Sequence, residues 1–482
     1  MLFSRKGGIK LKHSKIKDHE RNGNELIPPF LKGKMGEIIQ LHSWSRERVP
    51  EYLWIGLLRN SCRDKKEYFN KMYFLKEYLL NNYEEPVEKF SKILKMSKED
   101  KKQIFLEIKK IFGEHVLDPL NVVSYFDTEL RDCFYDKSKN NDYRISQIKE
   151  VVDKMYERYS EFAMDVRYII IILRQKKIHF LEEMKDSIMI EALQKYPFLE
   201  YGDSMMGIYT CSLSSFEGMD FAIGDSYDYS KYFYEEMYLM TDCNPIILTF
   251  EENVDYDNLK DKLMELRKLL IKSNEIKYDD KKDVIIGNIT YVYKIINEIM
   301  VNNLGNTIIS RLALRTITEV YVNLKFLCLK SKSEPKIWET FKDYGSGKYK
   351  IIYKRIEEGI STATDCIHFN NDILKMLSNE EKNEEFIKVS FSNFANKKVR
   401  QKFIDVNEKD LYDSYYDYDT CFSHGYWGAI RESSLLLCDN SVHNYHSVSD
   451  VECQQKLICC YTDMCFLLNK IIKIMSDELG VE

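Results

Sequence analysis

Along the apolar run Ile309–Leu329, four polar side chains recur every fourth residue: Arg311, Arg315, Glu319 and Asn323. A helix turns about 100° per residue, so this spacing draws them into one stripe. Charge on an otherwise greasy helix needs partners, because an isolated buried charge is strongly unfavourable. Arg315 and Glu319 can pair across one turn. In a pocket, the arginine would bind an anion and the glutamate would act as acid or base. An ion-pair network that only joins helices calls for the same residues, so both readings stay open at this point.

A second cluster, Tyr415-Tyr416-Asp417-Tyr418-Asp419, precedes Ser423-His424-Gly425 and Arg431-Glu432. The chain has only nine histidines, and His424 is the one best placed for catalysis if it folds against Arg315 and Glu319. His443 and His446, with Cys453 as a third donor, could supply metal ligands. Their spacing is looser than the paired spacings of zinc motifs, so no metal and no cofactor are expected.

A third signal is Arg174-Gln175-Lys176-Lys177-Ile178-His179. This Arg-x4-His spacing, with a polar residue after the arginine, resembles the catalytic motif of HEPN-type ribonucleases. The resemblance implies metal-independent RNA cleavage, with Arg174 on the phosphate and His179 assisting attack by the 2′-hydroxyl. It also implies a homo-oligomer, because two helical subunits commonly complete such a site. On one uninterrupted helix, residues five apart point about 140° from each other. Convergence therefore requires a helix break or a second subunit.

The C-terminal part has a likeness of its own. Arg315-Thr316-Ile317-Thr318-Glu319, Trp338 with Tyr344-Gly345-Ser346-Gly347-Lys348-Tyr349-Lys350, and Ser423-His424-Gly425 together resemble an uncharacterised helical domain family of bacteria. The likeness runs from roughly residue 275 to 480; it implies a helical fold and brings no activity with it. Gly345-Ser346-Gly347-Lys348 is not a phosphate loop, since it lacks the G-x-x-x-x-G-K-[ST] spacing and a preceding strand.

The elements that must position these residues are helices. Pro is scarce (8) and Gly modest (19), whereas sandwiches and barrels need many tight turns. Ile148, Val152, Met155, Tyr159, Phe162, Val166, Ile169 and Leu173 step by four and three, which predicts one long helix over Ile145–Leu173. Further helices are predicted at Lys65–Asn81, Val87–Leu94 and Lys98–Phe112, then around Leu259–Leu270, Ile289–Ile299, Ile309–Leu329 and Leu457–Met475. The expected fold is mainly α, with two bundle-like helical lobes joined by an irregular segment. Its parts are a basic, partly disordered arm (1–40), an N-terminal lobe (41–199), the irregular segment (200–255, with a short strand after Pro245) and a C-terminal lobe (256–482). A chain of 482 residues exceeds what one core usually serves.

Charge and cysteine content narrow the function classes. Residues 1–35 hold nine Lys/Arg against three acidic residues, a surplus of +6 within a net charge of −6. Such an arm suits nucleic acid or an anionic surface, or is simply a solvated leader. The twelve cysteines form no C-x-x-C pair and read as reduced core thiols of a cytoplasmic protein. The longest aliphatic run, Ile169–Leu173, falls far short of the about 18 residues of a membrane span, so no membrane partner is expected. The expected function is a helical nuclease or toxin-like effector acting on RNA, in bacterial antiviral defence, with Arg174, His179, Arg315, Glu319 and His424 as its chemistry. The alternatives are a non-catalytic helical interaction or scaffold protein, and an anion- or nucleotide-sensing module.

Overall fold

Pro50 occupies the first turn of helix α1 (Val49–Asn60), where its missing N–H costs nothing. Every residue of α1 from Val49 to Leu58 is buried, so this helix is the axis of its unit. In the computed structural model the chain is described at residues 15–29, 40–41, 43–157, 160–174, 188–200, 203–220, 228–250, 256–274, 279–359, 368–444 and 446–481. It divides into two compact units, Met1–Ile246 with Cys438–Ser447, and Ile247–Leu437 with Val448–Glu482. Helices dominate both.

In the first unit a hairpin of β1 (Glu20–Asn22) and β2 (Glu25–Ile27) lies within the basic arm, with Arg21 opposite Leu26. The same core takes in α2 (Lys65–Asn82), α3 (Lys98–Phe112), α4 (Asn141–Tyr156), α5 (Glu161–Leu173), α6 (Met206–Gly218) and α7 (Asp228–Met240); α2, α4, α5 and α7 pack on α1, α3 on α2, and α6 on α5. Each start has a local cause: Asp64, Ser97, Asn140 and Ser160 accept hydrogen bonds from the backbone N–H three residues on. α1 and α4 approach closely at Gly56, where a Cβ would meet Met155 Sδ at 2.7 Å and Val151 Cγ1 at 2.8 Å.

Two expectations change here. The stripe Ile148–Leu173 belongs to two helices, α4 and α5, because Ser160 starts a new one by capping Ala163 N–H. The segment expected to be irregular contains α6 and α7, with Tyr229, Phe233, Tyr234 and Met237 buried on one face of α7. Gly207 and Gly218 stand at the ends of α6 and bracket it. Gly202 and Gly224 lie outside the described residues. The short strand after Pro245 is reduced to Pro245–Ile246.

The second unit is built on α8 (Tyr256–Ser273), α9 (Asp280–Val301), α10 (Ile308–Ser331), α11 (Ile337–Glu357), α12 (Asp417–Ser423), α13 (Trp427–Ser433) and α14 (Tyr461–Leu479). Leu259, Leu263 and Leu266 meet Ile289, Val292 and Ile296, together with Leu314, Ile317 and Tyr321 and with Met464, Leu468 and Ile471, in one core. Among the described residues α9 is the helix long and apolar enough to cross a membrane, and its Ile289–Ile299 face is buried in that core. Gly345–Lys348 runs inside α11, and a Cβ at Gly347 would stand 2.9 Å from the Lys388 carbonyl. The backbone crosses closely there, which accounts for that glycine without any phosphate. β3 (Leu435–Cys438) pairs antiparallel with Val448–Ser449.

Candidate functional site

The stripe on α10 meets partners at every turn. Arg311 is 6% exposed; its Nη1 lies 2.9 Å from Cys460 Sγ and its Nη2 donates to the Ile458 carbonyl at 2.7 Å. One turn on, Arg315 Nε donates to Thr420 Oγ1 (3.2 Å) and Nη2 to Tyr416 Oη (2.6 Å), with the guanidinium 4.6 Å from the centre of the Tyr416 ring. Glu319 Oε2 lies 3.7 Å from Arg315 Nη1 and accepts from the Tyr416 hydroxyl at 3.2 Å. Burial, with Glu319 beside it, pushes the Tyr416 hydroxyl up to about 12, so it stays a donor at any ordinary pH. Asn323 Oδ1 accepts from Lys402 Nζ at 3.0 Å.

The stripe continues past the polar residues singled out in the sequence. Glu408 accepts from Tyr321 Oη and Lys325 Nζ, each at 2.6 Å, and from Lys470 Nζ at 3.2 Å. Burial works against its ionisation, but the bonds from Lys325 and Tyr321 outweigh it and lower its pKa.

Sequence reasoning placed Asp419 in the tyrosine-rich cluster but gave it no role. It is 1% exposed, and among the described residues neither of its carboxylate oxygens takes a hydrogen bond. Burial pushes this acid up to about 7; Asp463 adds to the shift, and Arg311 and Arg315 oppose it. A signal was available: Tyr416, Asp419 and Phe422 are spaced by three, placing a carboxyl in the middle of a buried stripe.

His424 is not part of the converging set. It caps the end of α12, exposed, with its ring stacked on Tyr426 at 5.6 Å and 25°. No hydrogen bond among the described residues joins it to Arg315 or Glu319.

Arg174 belongs to the first unit, where it follows the last residue of α5. It donates to Tyr52 Oη and to the Glu217 carbonyl (3.3 Å), with Glu88 Oε1 3.7 Å away. Glu217 in turn pairs with Arg48 at 2.5 Å and Arg167 at 3.4 Å, and Arg167 lies 3.8 Å from the Trp44 ring centre. Burial works against the Glu217 charge, but Arg48, Arg167 and Arg174 outweigh it and hold the carboxyl below the usual carboxylate range. Arg174 is thus one of three arginines gathered around a buried carboxylate. His179 lies outside the described residues, so the proposed pair is represented only by its arginine.

The stripe on α10 and the α12 residues facing it fall within one family match. Residues 282–442 match DUF5677, a family of unknown function. The match takes in Arg311, Arg315, Glu319, Asp419 and His424, and it supports the expected helical C-terminal domain family. DUF5677 does not extend to Arg174 or His179, so their likeness to HEPN-type ribonucleases stands on spacing alone. No curated protein and no solved structure matches the chain.

Thiols and imidazoles, side chains of the types that ligate metals, gather elsewhere. His443 and His446 lie in the first unit beside Cys243 and Cys438, whereas Cys453, the thiol first considered with them, belongs to the second.

Proposed function

We propose that this chain is a non-catalytic helical interaction protein whose polar stripes specify which helices pack together. One observation carries the reading: Arg311, Arg315, Glu319 and Asn323 are all engaged by partners on other elements of their own unit. Arg174 is likewise enclosed by Tyr52, Glu88 and Glu217. Exposed Tyr426 (56%) and Trp427 (67%) supply anchors of the kind partner proteins bury. Arg315→Ala and Glu319→Gln are expected to lower stability by about 1–3 kcal/mol each, through lost charge-assisted hydrogen bonds. RNA and DNA incubated with the purified wild type should stay intact. RNA lost to the wild type but spared by a folded His424→Ala variant would overturn the reading.

A second reading, an effector directed at RNA, is favoured by the stacking of His424 on Tyr426 beside exposed Trp427. Unpaired bases stack on such rings. Fluorescence anisotropy with labelled single-stranded RNA separates the two: this reading requires salt-sensitive binding that Trp427→Ala weakens, and the first requires none.

A further inference from the structure

The chain leaves α7 through Thr241, Asp242, Cys243 and Asn244, and 195 positions after Cys243 it ends β3 on Cys438. A tight turn follows, in which His443 N–H donates to the Asn440 carbonyl (2.9 Å) and His446 N–H to the His443 carbonyl (3.0 Å). Hydrogen bonds hold the segments together, among them Asp439 N–H to the Asn244 carbonyl at 2.8 Å and Asn440 Nδ2 to the Asp242 carbonyl at 2.9 Å.

This crossing brings together two thiols and two imidazoles. Cys243 Sγ lies 3.6 Å from Cys438 Sγ and 3.0 Å from His446 Nε2, and Cys438 Sγ lies 3.5 Å from His443 Nδ1. The donor atoms of Cys243, Cys438 and His443 all fall within 4.8 Å of one another. Zinc bound to thiolate at about 2.3 Å and to imidazole at about 2.0–2.1 Å gives tetrahedral S–S edges of about 3.8 Å and S–N edges of about 3.6 Å. The Cys243–Cys438 and Cys438–His443 separations are close to those edges, and the Cys243–His446 separation is about 0.6 Å shorter.

The surroundings also orient one ligand. Thr241 Oγ1 donates to the Met237 carbonyl at 2.7 Å and also lies 2.7 Å from His443 Nε2. Asn440 Nδ2 also lies 3.2 Å from His443 Nε2, so Thr241 and Asn440 hold the ring by its far nitrogen while Nδ1 faces Cys438. A hydrogen bond that orients the far nitrogen of an imidazole is the usual support of a metal-bound histidine. The ring of Tyr238 packs on both imidazoles, 5.2 Å from His443 and 4.7 Å from His446.

We propose that Cys243, Cys438 and His443 hold a single zinc ion, with His446, whose Nε2 reaches Cys243 Sγ, turning in as the fourth ligand of a closed tetrahedral site. Four protein ligands leave no open position, so the ion is structural and does not take substrate. Binding releases the two thiol protons as thiolates form. The ion fastens the Cys438–Ser447 segment, whose Val442 is part of the first unit's core, to the end of α7.

The test uses the full-length chain, purified under reducing conditions without a metal-affinity tag. Elemental analysis should find one zinc per chain. After chelation, added Co²⁺ should give tetrahedral ligand-field bands with thiolate charge transfer, both abolished by zinc. Cys243→Ser and His446→Ala should each weaken zinc retention against a competing chelator by more than about tenfold, while Cys211→Ser retains it. Should those variants fail to fold, zinc protection of Cys243 and Cys438 from alkylation in the wild type reads the same site. Absence of both zinc and a cobalt spectrum, a spectrum unchanged in the variants, or a Cys243–Cys438 disulfide as the main species from cells would each overturn the assignment.

Discussion

Asp419 is an acid in a dry place, where the charges of Arg311, Arg315 and Asp463 reach it. Its folded pKa of about 7 exceeds the unfolded value of about 3.9. The folded state therefore holds its proton more tightly across that interval. The resulting stability is fully present below about pH 3.9 and is lost as pH rises through about 7. Asp419→Asn keeps the neutral form at every pH. It should melt several degrees above the wild type at pH 8, with the gap closing as pH falls and vanishing below about pH 3.9. A difference that stays constant with pH would contradict this account. The pairing of Arg315 with Glu319 was legible in the sequence, because residues one turn apart on a helix are neighbours whatever surrounds them. Tyr416 and Thr420, which engage Arg315, were not, since the separations of 101 and 105 residues carry no local rule.

Helices here owe their positions to caps and spacing, and one pair of glycines separates propensity from packing. Gly287 lies inside α9, and a Cβ added there would have nothing within 4 Å, whereas one at Gly56 would face Val151 and Met155 at under 3 Å. Glycine costs about 1 kcal/mol relative to alanine in a helix interior, so Gly287→Ala should stabilise by up to that amount. At Gly56 the same gain is opposed by overpacking of about 1–3 kcal/mol, and Gly56→Ala should destabilise. Chemical denaturation of the two variants measures both signs; two stabilised proteins would show that α1 and α4 can move apart freely. The boundary between α4 and α5 eluded the spacing argument because the apolar stripe keeps its phase across Ser160. The first helix ends where Glu157 leaves helical backbone (ψ 77°), and the Ser160 cap starts the next.

Over the whole chain each unit has its own core, and the first also encloses three arginines around Glu217. Removing one partner of a buried charge cluster commonly costs about 3–5 kcal/mol, because the remaining charge stays desolvated. Glu217→Gln is therefore expected to speed amide exchange in α1, α5 and α6 and to leave α9 and α10 protected. Equal loss of protection in both sets would mean that the chain unfolds as one cooperative block.

From its sequence alone this chain is a mainly helical protein with two regions of amphipathic helices and a polar stripe that must find partners. These properties follow from 3.6-residue periodicity and from side chains acting on their near neighbours. Tertiary structure alone decided that the stripe meets Tyr416, Thr420 and Cys460, that His424 stands apart from it, and that residues 438–447 return to the first unit to set two histidines beside Cys243. Such meetings depend on how distant helices pack and where loops close, and no local pattern encodes them.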